Sequence, residues 1–115
     1  MKRIGHHAVG ICQGSEVLFS DFEEGSEMWT GSGQREHLHH IRFDDSFRDA
    51  PAVHVGFSMW DIHAGANQRV EMHTKEIGPE GFSIVFSTWG NTRVARIRVD
   101  WLAIGPVTFE EDFDL

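Results

Sequence analysis

The chain has 115 residues, 40% of them hydrophobic, with twelve glycines, nine phenylalanines and a formal net charge of −8. That length suits one domain with a real core. The acidic balance argues against a nucleic-acid partner, because binding to a phosphate backbone draws its affinity from basic residues, and no stretch is apolar for long enough to insert into a membrane.

The chain opens with MKRIGHHAVGICQG. Its basic start is followed by His6, His7 and Gly10, which interrupt what would be the apolar region of a secretory signal. Residues 1–14 are therefore expected to be an N-terminal extension of the mature protein. This leaves a cytoplasmic location, or export by a non-classical or particle-associated route. Cys12 is the single cysteine, so no intrachain disulfide is expected.

Glu16 to Phe19 reads as a short first strand. Ser20 to Gly33 is rich in turn formers, with Asp21, Gly25, Gly31 and Gly33 around Met28 and Trp29, and long loops carry function more often than strands do. A strand follows over Arg35 to Phe43, then a connection over Asp44 to Ala50. Val53, Val55, Phe57 and Met59 alternate onto one face of the next strand, and Val70, Met72 and Thr74 point inward from a strand over Arg69 to Lys75.

The run from Gly81 to Gly105, GFSIVFSTWGNTRVARIRVDWLAIG, is the most informative segment. Phe82, Ile84 and Phe86 alternate with Ser83, Val85 and Ser87, and Ala95, Ile97, Val99 and Trp101 alternate with Arg96, Arg98 and Asp100. Gly90 and Asn91 tolerate positive φ, so the two strands are expected to form a hairpin with Trp89 at the edge of its turn. Trp101 shares a face with Ile97 and Val99 and belongs to the core. Val107, Phe109 and Phe113 fit a last short strand or a contact with a neighbouring chain, within an acidic tail over residues 106–115. With no helical period, the pattern predicts an all-β domain over residues 1–115, a six- to seven-stranded antiparallel β-sandwich.

The spacing of these residues resembles the H-type lectins. The matching positions are Ile41 and Phe43, then Pro51 with Val53, Val55 and Phe57, then Asp61, and Arg69 with Val70. Gly81-Phe82, Thr88-Trp89, Asn91-Thr92 and Val99-x-Trp101 follow, so the resemblance covers roughly residues 35 to 105, and several fixed spacings in one order are more specific than any single motif.

The resemblance implies a non-catalytic carbohydrate-binding protein without a cofactor, whose partners are cell-surface or polysaccharide glycans. It also implies a trimer or hexamer that compensates weak single sites by multivalency. N-acetylgalactosamine or a related sugar is the implied ligand. Arg69 falls on the arginine that contacts sugar, and its guanidinium fork suits paired hydroxyls. From spacing alone it could equally pair with Asp61 or Glu71. Trp89 offers an aromatic face for sugar C–H groups or a contact between protomers. Asn91, Gly90 and Ser32 complete the expected site. The sequence departs from the family at specificity-setting positions: Gly90 replaces a histidine, Ala95 a tyrosine, and Gly31-Ser32-Gly33 a loop that supplies an aspartate.

Two other readings use other residues. In the first, the fold serves as a structural or adhesive module of a phage-like or surface particle, with a vestigial sugar site. In the second, His37-x-His39 with Asp44 partly resembles the first cupin motif, in which such donors hold a metal. Arg93, Arg96 and Arg98 form a basic cluster that fits cross-strand ion pairs or a patch for an anionic sugar. No nucleophile elbow, phosphate loop or dinucleotide fingerprint is present, and paired carboxylates such as Asp44-Asp45 and Glu110-Glu111 read as surface runs.

Overall fold

The computed structural model describes residues 1–5, 8–20 and 27–108. His6, His7, Asp21, Gly25, Phe109, Phe113 and the acidic residues 110–112 and 114 lie outside the described residues. Six strands and one short helix follow in the order β1 (Val9–Ser20), α1 (Glu27–Thr30), β2 (Arg35–Arg42), β3 (Ala52–Ile62), β4 (Val70–Gly78), β5 (Gly81–Thr88) and β6 (Val94–Pro106).

The strands make two three-stranded sheets, ordered β1-β6-β3 and β2-β5-β4, and every pairing is antiparallel. Packing of their inner faces is the expected all-β sandwich. The two central strands carry the most buried residues. Phe82, Ile84 and Phe86 of β5 meet Ile97, Val99, Trp101 and Ala103 of β6 in one core. Each large apolar side chain fully withdrawn from water there contributes about 1.5–3 kcal/mol.

Ring contacts join the layers at both ends of this core. Phe86 packs edge-on against Phe19 of β1, with centroids 5.3 Å apart, and against Phe57 of β3, at 6.2 Å. Toward the other end, Trp101 lies 5.5 Å from Phe82 and 5.8 Å from Phe43. The core position expected for Trp101 is therefore the observed one. β5 is buried on both faces, because its outward residues Ser83, Val85 and Ser87 are small and sit between the longer side chains of β2 and β4.

Four sequence expectations change. β1 begins at Val9, not Glu16, and residues 9–14 pair with β6 from Pro106 back to Trp101. The alternation of Val9, Ile11 and Gln13 outward with Cys12 inward is a strand pattern too polar to stand out beside the glycines. The expected hairpin of β5 and β6 is also not formed, since the two strands belong to different sheets. Residues 89–93 are a crossover between layers, and each of the two strands is the centre of its own sheet. Met59 leaves the face of Val53, Val55 and Phe57, because a bulge between Phe57 and Met59 sets Met59 opposite the outward Arg98 and Trp60 opposite Ile97. Such an extra residue reverses the side-chain parity that follows it. Finally, Glu27–Thr30 makes one helical turn, in which the Gly31 N–H donates to the Glu27 carbonyl at 2.8 Å.

Candidate functional site

Three segments meet at the end of the sandwich where β5 leaves and β6 enters: α1 with the 31–34 turn, the residues before β4, and the 89–93 crossover. Buried side chains hold them together. Thr88 and Thr92 have no solvent exposure, and they hold Arg69 between them. The Thr88 hydroxyl donates to the Arg69 carbonyl at 2.6 Å, and the Arg69 N–H donates to the Thr92 hydroxyl at 3.1 Å. Thr92 also donates to the Asn67 carbonyl at 2.6 Å. The loop before β4 is thus fixed to the crossover by two threonines that the sequence spaces four residues apart.

Fixing that backbone aims the Arg69 side chain along the crossover. Its Nη1 donates to the Asn91 Oδ1 at 3.4 Å. Gly90 lies directly beneath, with φ at +70°, and a Cβ placed there would stand 3.0 Å from the same Nη1. Glycine is therefore favoured by the left-handed backbone, and the lack of a Cβ leaves room for the close approach of the guanidinium. Arg69, Gly90 and Asn91, three of the five expected site residues, form one continuous surface.

Ser32 joins through its neighbour, since the Gly33 N–H donates to the Gly90 carbonyl at 3.0 Å. Its side chain is exposed, as is that of Asn91. Trp89 follows the last residue of β5 and keeps 37% of its surface exposed. The pairing of Arg69 with Asp61 is not the observed one, because Asp61 accepts from Arg96 at 3.0 Å. These two residues face each other across β3 and β6, so a cross-strand ion pair accounts for Arg96.

The organiser of the site is a residue that sequence reasoning passed over. Arg35 is 3% exposed and donates to five backbone carbonyls, those of Gly33, Glu27, Met28, Gly90 and Thr92, at 2.7–3.3 Å. A guanidinium carries five N–H donors, so its hydrogen-bonding capacity matches three segments that otherwise have no regular structure in common. One signal was available. Arg35 shares its inward parity with His37, His39 and Ile41, and an arginine on a core face must be met by acceptors.

A second arginine frames the same crossover. Arg93 donates from Nε to the Trp29 carbonyl at 3.0 Å, and its guanidinium lies 4.4 Å over the Trp29 ring. His63 meets that ring edge-on at 6.1 Å, and its N–H donates to the Arg93 carbonyl. The basic cluster read from sequence is thus divided. Arg93 belongs to the site end, Arg96 pairs with Asp61, and Arg98 donates to Ser15 at 3.1 Å.

The cupin-like donor set is not brought together. His37 and His39 do share a face, stacked at 6.3 Å, but His39 is hydrogen-bonded to Glu16 of β1. Asp44 instead lines a cavity of about 640 Å³ at the opposite end of the sandwich, with Cys12, Phe47 and Thr108. Among the described residues no three His, Cys, Asp or Glu side chains gather as a metal site.

The chain is similar to several known proteins. Residues 38–104 match the model of the H-type lectin domain. Over 115 residues the chain is 50% identical to "ATP synthase subunits region ORF 7" of Fuscovulum blasticum, covering 100% of this chain and 99% of that one. Discoidin-2 of Dictyostelium discoideum is 33% identical over 76 residues, which are 65% of this chain and 30% of the discoidin. The structure of recombinant discoidin II from the same organism superposes with a TM-score of 0.75 at 24% identity, over 90% of this chain and 40% of that one. The chain thus spans less than half of either discoidin, and the last comparison speaks to the fold alone.

Proposed function

The chain belongs to the H-type lectin domain family, and from that premise we propose that the end of the sandwich around Arg69 binds carbohydrate without turning it over. Carbohydrate binding in general is what the family membership supports. The observation that carries the placement is the hold of Thr88 and Thr92 on Arg69, which sets its guanidinium over Gly90 and against Asn91. Arg69 hydrogen-bonds sugar oxygens, the half-exposed Trp89 walls the site, and Asn91 and Ser32 add polar contacts at its rim.

A single site of this kind is open and gains little per hydroxyl over water. Affinity therefore rests on several sites displayed together, and a trimer or a pair of trimers is the assembly proposed. The outer face of the first sheet supports self-association. Ile11 is 68% exposed there, in a cross-strand row with Ile104 and Ala52. Apolar rows left open on a sheet face are common where copies of a chain pack.

The test is a broad glycan array, including bacterial polysaccharides, probed with the protein and with Arg69→Ala and Trp89→Ala variants of unchanged oligomeric size. Selective binding lost in both variants is the expected result. Silence from a folded oligomer would favour a structural module that keeps the fold without a ligand.

A further inference from the structure

Resting on that reading, we infer that the Arg69 site takes a glycan bearing an anionic group, a carboxylate or a sulfate. Three guanidinium groups surround one crossover. Arg35 donates to the Gly90 and Thr92 carbonyls, Arg69 reaches the Asn91 side chain, and Arg93 closes the crossover while stacked on Trp29.

None of the three is paired with a carboxylate among the described residues, where the two side-chain ion pairs, His39 with Glu16 and Arg96 with Asp61, lie elsewhere. Arg35 is buried, so its charge acts through protein with little screening by water. Arg69 and Arg93 are only partly buried. Three guanidinium groups are thus gathered around one crossover of a chain whose formal net charge is −8, and charges of one sign gathered in one place attract a ligand of the other.

Hydrogen-bonding capacity points the same way. A neutral sugar presents hydroxyls that must donate as well as accept, and its site needs acceptors. Here the Asn91 oxygen is turned toward Arg69, which leaves its NH₂ group to face ligand. The Arg69 N–H groups and the Trp89 indole N–H also donate, and Ser32 offers a hydroxyl. A surface rich in donors and poor in acceptors is matched by an oxyanion, and a carboxylate or sulfate can take two parallel N–H bonds from one guanidinium.

The experiment measures binding of the intact protein to four polymers at low and high salt: a galacturonan, the same galacturonan after carboxyl reduction, a sulfated galactan, and the same galactan after desulfation. The expected result is at least tenfold tighter binding to one or both anionic members than to their neutral partners. That preference should weaken with salt and vanish in Arg69→Gln. It should persist in Arg98→Gln, whose arginine sits on the outer face of β6, so a general attraction of charge is separated from the site. The two pairs distinguish carboxylate from sulfate. Equal affinity for charged and neutral members overturns the inference and leaves the lectin reading standing. Silence on all four polymers also overturns it, and silence on the glycan array as well would take the lectin reading with it.

Discussion

Replacing Arg35 by methionine tests whether one buried guanidinium holds the site together. Methionine keeps an unbranched apolar stem, ends two atoms short of the guanidinium nitrogens and removes all five donors. Of the five carbonyls that lose a partner, those of Met28 and Thr92 are bonded in buried surroundings, while those of Glu27, Gly33 and Gly90 are partly accessible and can turn to water. A buried polar group left without a partner costs about 1–3 kcal/mol, so two such carbonyls cost about 2–6 kcal/mol. Ending the desolvation of a buried charge and burying a thioether offset part of this. The net expectation is a loss of about 2–4 kcal/mol. Urea denaturation at fixed protein concentration measures it, with an unchanged slope showing that the folded state is equally compact. Amide exchange then locates the damage. The Gly31 and Gly33 N–H groups, bonded to Glu27 and Gly90, should exchange faster by more than the global loss explains, while β5 and β6 follow it. A loss below about 1 kcal/mol with Gly33 exchange unchanged would refute the assignment, because two buried unpaired carbonyls could not then exist.

Thr92→Val keeps the shape of a fully buried side chain and removes its bonds to Asn67 and Arg69; about 2–4 kcal/mol should be lost in denaturant, with glycan affinity reduced because the Arg69 backbone is released. Gly90→Ala strains a backbone at φ +70° and sets a methyl 3.0 Å from the Arg69 guanidinium. It should cost about 1 kcal/mol while lowering glycan affinity more than Asn91→Ala does, as titration calorimetry would show. Gly81→Ala should be the more damaging glycine change, since its Cβ would lie 2.2 Å from the Ile41 carbonyl, which is backbone of the paired strand. A fall of more than about 2 kcal/mol is expected there, with no specific effect on ligand.

Much of the fold was written in the alternation. β5 and β6 stand out because both faces of one and a full face of the other are apolar or small, and their core residues are those the pattern names. Their pairing was not legible. Period two identifies a strand but carries no record of its neighbours, and a Gly-Asn step serves a hairpin or a crossover equally well. In the structure its positive φ receives Arg69 and does not reverse the strand within a sheet. The bulge after Phe57 was hidden for a related reason, since Met59 and Trp60 are both apolar and the sequence reads as an unbroken strand through either.

The site was legible in part because its residues cluster around one short segment. Thr88, Trp89, Gly90, Asn91 and Thr92 are consecutive, and Arg69 was found by its fixed distance from them. Resemblance to the lectins supplied the role that spacing alone left open between ligand and ion pair; in the structure Asp61 accepts from Arg96 and leaves Arg69 to the crossover. Arg35 was missed because its partners are backbone carbonyls, which leave no trace in side-chain identity. Its value appears only once 27–28, 33 and 90–92 are seen together.

Ligand is proposed to bind at the Arg69 end of the sandwich and not in the cavity beside Asp44 and Cys12. A nitrogen-proton NMR titration with the tightest glycan from the array tests it most directly. Progressive shifts are expected of the Gly90, Asn91 and Gly33 amides, the Trp89 indole and the Arg69 guanidinium, with Ile11, Cys12 and Asp44 unmoved. Shifts confined to Ile11, Cys12 and residues 44–47 would contradict it and move the site to the other end of the molecule.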